Sequence, residues 1–422
     1  MTTIDAVDAW EVLDSRGSPT VRVEVKAGGV TGIFTVPAGA STGRFEAIEK
    51  RDGGDRYGGA GVQSAISAVI EELAPAVIGH PVSDQETLDS ILESVDGTKE
   101  LSRLGANAVL GVSGATARTA SQVNNEPLYA SLAHSEPGRI PVPLVNVISG
   151  GLHSDGTLPI QDIMLVPLTA SSYASALEQI WQARTGIRKA LVTRGHRPLI
   201  ADEGGFSPPI SDIDAAFEIV DEGIRRAGMS PGDEIGYAVD IAASHFYEEE
   251  RYQVEANSSI TTSEMVERMT ALVDVNPIVA IEDPLAEDDW TGWHRLQAAI
   301  GESVLVIGDD LLVTNEERLE RAITEQACNA VLVKPNQAGT VSRARAVSKC
   351  ATDAGFGQII SARSGETADT TIADLAVAWD AGLIKIGSLA RSERLAKYNR
   401  LLEIERTGPC AYASAAMLFP RA

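Results

Sequence analysis

Apolar and polar residues alternate along this chain in two different styles, and the change of style falls near residue 137. In the first part, Thr20-Val21-Arg22-Val23-Glu24-Val25 alternates with period two, which predicts a half-exposed strand in a meander. Ile66, Val69, Ile70 and Leu73 lie on one helical stripe, which predicts a helix stopped near Pro75. The segment Ala106 to Ala120 is rich in small residues, and its Gly111 and Gly114 suit close helix packing, since no Walker lysine follows them. The tract Gly53 to Gly59 reads as a flexible connection, and Ser135 to Pro141, with two prolines and a glycine, as a linker.

From about residue 235 to 390 one pattern repeats: a short apolar run that ends on a charged or hydroxyl-bearing residue. The runs are Ile235 to Asp240, Ile278 to Glu282, Val304 to Asp309, Ala330 to Lys334, Gln358 to Ser364 and Leu383 to Lys385. Their endings lie roughly 20 to 40 residues apart, room for a strand, a loop and a helix. Helices between them are announced by capping boxes, Thr261 with Glu264 and Thr314 with Glu317. Leu177, Ile180, Trp181 and Ile187 predict a further core-facing stripe. The chain therefore reads as α/β: an N-terminal α+β domain over residues 1–137, then a (β/α)8-type, TIM-like barrel over 138–422.

Polar groups at the C-terminal ends of barrel strands converge on one site. Asp240, Glu282 and Asp309 offer hard oxygen donors with no cysteine or paired histidine nearby, which fits magnesium far better than zinc. Lys334 and Lys385 would flank the ion, and a lysine in that setting can act as general base toward a weakly acidic carbon. Removing a proton beside a carboxylate builds a dianion, which the metal and the second lysine can neutralise. Arg363 with Ser364 suits a phosphate-like substituent, because a guanidinium presents a planar fork of donors.

Composition narrows the partners. A chain of 422 residues with a formal charge of −24 repels nucleic-acid phosphate and anionic membrane. Three widely spaced cysteines argue against a disulfide framework, and neither a leader-type opening nor a membrane-length apolar run is visible, so a soluble, cytoplasmic protein is expected. The histidines show no zinc-type spacing; only His153 and His245 fall near the polar endings.

Four longer motifs carry a resemblance. Leu13 to Val21 (LDSRGSPTV), Pro37 to Gly43 (PAGASTG), Asp202 to Phe206 (DEGGF) and Ala390 to Asn399 (ARSERLAKYN) resemble, in this order, the signatures of the enolase or phosphopyruvate hydratase family, and the likeness runs along nearly the whole chain. It implies that Asp240, Glu282 and Asp309 hold a first magnesium, with Ser41 helping to hold a second. It implies that Lys334 takes the carbon-2 proton and that Lys385 holds the substrate carboxylate. Glu203, with Asp162, would assist departure of the carbon-3 hydroxyl, and Gln161 would stand beside it. Arg363, Ser364 and position 362 would surround the phosphoryl group, and His153 would approach it. A homodimer or an assembly of dimers is implied as well.

Departures from the family pattern cluster at the motifs: Ala362 stands for histidine, Asp162 for glutamate, Ser149 for asparagine, Ser154 for alanine, Ala38 for serine and His245 for glutamate. His245 either faces the substrate or pairs with a neighbouring acid. An enlarged pocket beside Arg363 favours, as the first expectation, a carboxyphosphonoenolpyruvate synthase, which would dehydrate 2-(carboxyphosphonyl)glycerate in phosphonate antibiotic biosynthesis. A glycolytic enolase acting on 2-phosphoglycerate and a non-catalytic binding protein derived from an enolase are the alternatives.

Overall fold

The computed structural model describes residues 1–39, 43–151, 158–255 and 258–419. The N-terminal part opens with an antiparallel meander of β1 (Ile4–Leu13), β2 (Pro19–Ala27) and β3 (Val30–Thr35). The alternation in β2 sends Val21, Val23 and Val25 into the core. Helix Ala106–Val123 lies across this sheet. A Cβ on Gly111 would come within 2.5 Å of Val23 Cγ2, and one on Gly114 within 2.6 Å of the Phe34 ring, so the glycines set the distance between helix and sheet.

The helix stops near Pro75, as expected. The helical stretch runs from Gln63 to Val77 through a π-type turn at Val69–Leu73, and Pro75 sits in its last turn. The wider turn shifts the phase of the face, which leaves Ile70 exposed while Ile66, Val69 and Leu73 stay buried.

Beyond the linker, eight described strands close into a barrel: β4 (Val142–Ser149), β5 (Asp162–Pro167), β6 (Ile235–Asp240), β10 (Ile278–Glu282), β11 (Leu305–Gly308), β12 (Ala330–Val333), β13 (Gly357–Ser361) and β14 (Gly382–Gly387). The intervening β7 (Tyr247–Glu248), β8 (Arg251–Glu255) and β9 (Ser258–Ile260) form a small separate sheet. Six barrel strands are those anticipated from their apolar runs. The barrel departs from a uniform parallel one at β5, which runs antiparallel to both β4 and β6. Leu144, Met164, Ala238, Ile307, Leu332 and Ile359 fill the interior, and a second apolar layer joins the strands to the surrounding helices. The C-terminal segment covers the far end: Ala413 N–H donates to Ile140 O at 2.9 Å, and Phe419 packs into the interior cluster.

Two helix-level expectations are corrected. Thr261 and Glu264 do form a capping box, but the helix Glu316–Glu325 is capped by Asn315, whose side chain accepts from Arg318 N. The Thr314 hydroxyl is engaged elsewhere: it donates to Gln337 Oε1 at 2.7 Å and accepts from Lys334 N at 2.9 Å. Trp181 stands 60% exposed while Ile180 and Ile187 are buried, so the stripe on Tyr173–Thr193 is narrower than its sequence implied.

The two parts are joined by hydrogen bonds that finish each other's elements. Ser113 Oγ and Asp89 Oδ2 accept from Val341 N and Ser342 N, at 3.0 and 2.9 Å, and so cap the barrel helix Val341–Asp353 from the N-terminal side. Ala38 and Gly365 exchange two backbone hydrogen bonds of 2.8 and 2.9 Å. No described helix is long and apolar enough to cross a membrane.

Candidate active site

Strand register brings the polar endings together. Glu282 pairs with Asp240 across β10 and β6, Ser361 with Lys385 across β13 and β14, and Asp162 with both Asp240 and Ser149. Asp162 reaches this mouth from the first residue of β5 because that strand is reversed. Asp309 and Lys334 follow β11 and β12 directly. Just past two of the carboxylates the backbone turns through the left-handed region, at Ala242 with φ 50° and Asp283 with φ 41°, a costly conformation held by the surrounding hydrogen bonds.

The resulting cavity is lined by Gln161, Glu203, Asp240, His245, Asp309, Lys334, Ala362, Arg363, Ser364 and Lys385, together with Asp283 and Asp310. Glu282 lies beneath the lining, almost fully buried. Lys385 Nζ donates to Asp240 Oδ2 at 2.9 Å and to Glu282 Oε2 at 2.6 Å. Lys334 Nζ pairs with Asp309 Oδ2, and Gln161 Nε2 donates to Asp240 Oδ2 at 3.2 Å. Asp283 accepts from Asp309 N and Asp310 N at 2.9 and 2.8 Å.

Acidic side chains crowd this buried space. Burial, reinforced by Asp240, pushes the Glu282 carboxyl well above its ordinary value. Burial and then the neighbouring Asp310 do the same to Asp283, and burial with Asp309 lifts Asp310 to about 7. Burial acts the same way on Asp309, but Lys334 outweighs it and holds that carboxyl below the usual range. Burial would lower Lys385; Asp240 and Glu282 instead hold its ammonium well above the usual lysine value. Five carboxylates therefore share two ammonium groups, and all the available acidic donors are oxygens. That donor set fits a hard divalent cation. Among the described residues, Asp283, Asp309 and Asp310 each bring one carboxylate oxygen to within 4.8 Å of the other two, so Asp309 belongs to this cluster while Asp240 and Glu282 bond to Lys385.

Asp162 is fully buried and hydrogen-bonded to Asn146 Nδ2 and, at 3.0 Å, to Ser149 Oγ. Gly205 of the DEGGF motif abuts that pair: a Cβ there would lie 2.5 Å from Asn146 Oδ1, so a bare backbone is required. Glu203 is buried on the same side, its carbonyl accepting from Ser388 N at 2.8 Å. Across the cavity, Arg363 is buried, its backbone N–H bound to Glu366 Oε1 at 3.1 Å and its Nη1 to Glu46 Oε2 at 3.3 Å. Ser364 Oγ accepts from Arg16 Nη1 at 3.4 Å. Ala362 is buried beside them, and His245 is exposed at the rim. Ser41, His153 and Ser154 lie outside the described residues.

Several participants were missed from sequence. Asp283 and Asp310 each follow a named acid directly, and those doubled acids were the available signal. Asn146 was a single polar residue in an apolar run. Glu46, distant in sequence from every strand ending, carried no signal.

Family comparison agrees with this geometry. Residues 4–132 match the model of the enolase N-terminal domain, and residues 138–416 that of the enolase C-terminal TIM barrel domain. A protein named Enolase from Acidothermus cellulolyticus is 46% identical over 424 residues, covering all of this chain and 98% of that protein. Such a relative favours the plain enolase alternative over the carboxyphosphonoenolpyruvate synthase expectation, which finds no support. Of the residues that suggested a reshaped pocket, Ala362 and His245 line the cavity together with Asp240, Asp309, Lys334 and Lys385. The chain belongs to the enolase family of hydro-lyases.

Proposed function

We propose that this chain dehydrates 2-phosphoglycerate to phosphoenolpyruvate. The observation that carries the reading is the convergence of Lys334, Lys385, Arg363 and Ser364 on the lining of one cavity. Lys334 takes the carbon-2 proton. Lys385 binds the substrate carboxylate, and Arg363 with Ser364 binds the phosphoryl group, with His153 as a further contact. Glu203 assists the carbon-3 hydroxyl as it leaves, working with Asp162, and Gln161 stands beside it. Asp240, Glu282 and Asp309 would hold magnesium, with Ser41 toward a second ion. Bound there, magnesium supplies the positive charge that an enolate dianion needs.

The catalytic unit in this reading is the barrel of residues 138–422, capped by residues 1–137, and the assembly is a homodimer or a set of dimers. The deciding experiment is kcat/KM for 2-phosphoglycerate in saturating magnesium, followed by the absorbance of the conjugated product, with the carboxyphosphonyl analogue run beside it. About 10⁴ M⁻¹s⁻¹ or more for 2-phosphoglycerate is expected. A value several orders lower, in folded protein that binds magnesium, would reject this substrate.

A further inference from the structure

Arg363 is held from two directions. Its backbone is fixed by the buried Arg394, which donates to Arg363 O and Ser364 O at 2.7 Å each, and by Glu366. Its side chain is met by Glu46, a buried carboxylate from the N-terminal part of the chain, 317 residues away in sequence. Glu46 is itself oriented: Oε1 accepts from the Gly43 N–H, which leaves Oε2 for Arg363 Nη1.

The segment around Glu46 is clamped onto the barrel by contacts that do not involve the cavity. Two guanidinium groups approach the Phe45 ring, Arg318 at 4.2 Å and Arg44 at 4.6 Å from its centroid. Arg44 also makes a two-pronged contact with Asp288 at 3.0 and 2.8 Å, and Ala47 N–H donates to Gln337 O at 2.8 Å. These anchors fix the register of residues 44–47, so the direction of the Glu46 carboxylate is set by its neighbours on both sides.

We propose that Glu46 is a positioning residue that fixes the guanidinium fork of Arg363 for an incoming phosphoryl group. The proposal rests on the reading of Arg363 as the phosphoryl anchor. Two effects of Glu46 then oppose each other. Its carboxylate aligns the fork, and its negative charge stands near the place a phosphoryl anion must occupy. Burial works against the Arg363 charge, while Glu46 and then Asp309 sustain it. Losing the Glu46 charge should therefore tighten anion binding while loosening the geometry needed for turnover. A merely structural brace would not separate those two readouts.

The test uses the full chain with magnesium and two probes, inorganic phosphate by calorimetry and 2-phosphoglycerate by steady-state kinetics, on the parent, Glu46→Gln, Glu46→Ala and Arg363→Lys. Glu46→Gln keeps an acceptor for Arg363 and removes the charge, so it carries the test even if Glu46→Ala does not fold. The expected result is inorganic phosphate bound severalfold tighter by Glu46→Gln, with kcat lowered about tenfold, and up to about a hundredfold in Glu46→Ala. Phosphate binding that depends on Arg363 but stays within twofold in Glu46→Gln overturns the Glu46 proposal alone. A parent chain that binds no phosphate, or binds it equally after Arg363→Lys, overturns the anchor reading and this proposal with it. Failure to turn over 2-phosphoglycerate removes only the substrate assignment, and the phosphate titration still decides the role of Glu46.

Discussion

Two buried ionic clusters lie near one another in this molecule and are built on opposite terms. At the barrel mouth, Asp240, Glu282, Asp283, Asp309 and Asp310 outnumber Lys334 and Lys385. Behind Arg363, the Glu366 carboxylate accepts from Arg363 N, Thr367 N and Lys397 Nζ, the last at 2.5 Å, and Lys397 also donates to the carbonyls of Thr367 and Glu393. One cluster is charge-unbalanced and opens on a cavity; the other is matched one to one and sealed. A balanced, saturated cluster fixes backbone, while an unbalanced one with more acids than lysines suits a cation.

The contrast is sharpest where one lysine is removed from each. Lys334→Ala is expected to abolish measurable turnover, a loss on the order of 10⁴-fold, with the circular dichroism spectrum and magnesium binding retained; turnover within tenfold of the parent would remove Lys334 as the base. Lys397→Met strands Glu366 inside the protein and should lower unfolding stability by about 3–5 kcal/mol in urea titrations. An unchanged urea midpoint would mean that the sealed cluster is not structural.

A third buried acid tests the comparison by pH. Asp89, nearly inaccessible where the two parts of the chain meet, is lifted by burial to about 6, with hydrogen bonds from Ser342, Ser113 and Gln85 only partly opposing the rise. The folded chain therefore binds a proton there more tightly than the unfolded chain. Stability from this group is complete below the ordinary carboxylate range and is lost as pH rises to about 6, with no further change above. Asp89→Asn should remove that slope, so the variant gains on the parent by about 2 kcal/mol between pH 4 and pH 7. A difference between the two proteins that does not vary with pH would show that the carboxyl is not lifted.

Much of this was legible in the sequence where local pattern and tertiary role coincide. Apolar runs closing on Asp240, Glu282, Asp309, Lys334 and Lys385 named the barrel strands and put their polar ends at one mouth, because a barrel strand must be apolar along its length and can be polar only at its mouth. Reading failed where a tertiary partner overrode the local signal. Thr314 had the spacing of a cap, yet its hydroxyl is taken by Gln337 and the Lys334 backbone. Ile70 had the spacing of a core residue, but a π-type turn moved the face away from it. The substrate reading failed for a different reason. Ala362 was weighed as opening volume beside Arg363 and Asp162 as a shortened acid, whereas Asp162 is seated by hydrogen bonds from Asn146 and Ser149.

Because β5 runs backward, its chain leaves the mouth, returns along helix Tyr173–Thr193, and must descend again along Ile213–Arg226 before β6 can begin. The two helices cross so closely that a Cβ on Gly186 would fall 2.0 Å from Gly223 O. Between them the chain makes one extra passage over the top of the barrel, and that passage carries Glu203. Both acids assigned to the departing hydroxyl, Asp162 and Glu203, thus come from the irregular stretch, while the carboxylates, lysines and arginine assigned to the proton and the anion come from parallel strands. In the proposed reading the chemistry divides by topology: the ordinary repeat serves enolate formation, and the single inverted strand opens a separate stretch that serves the choice of what is expelled.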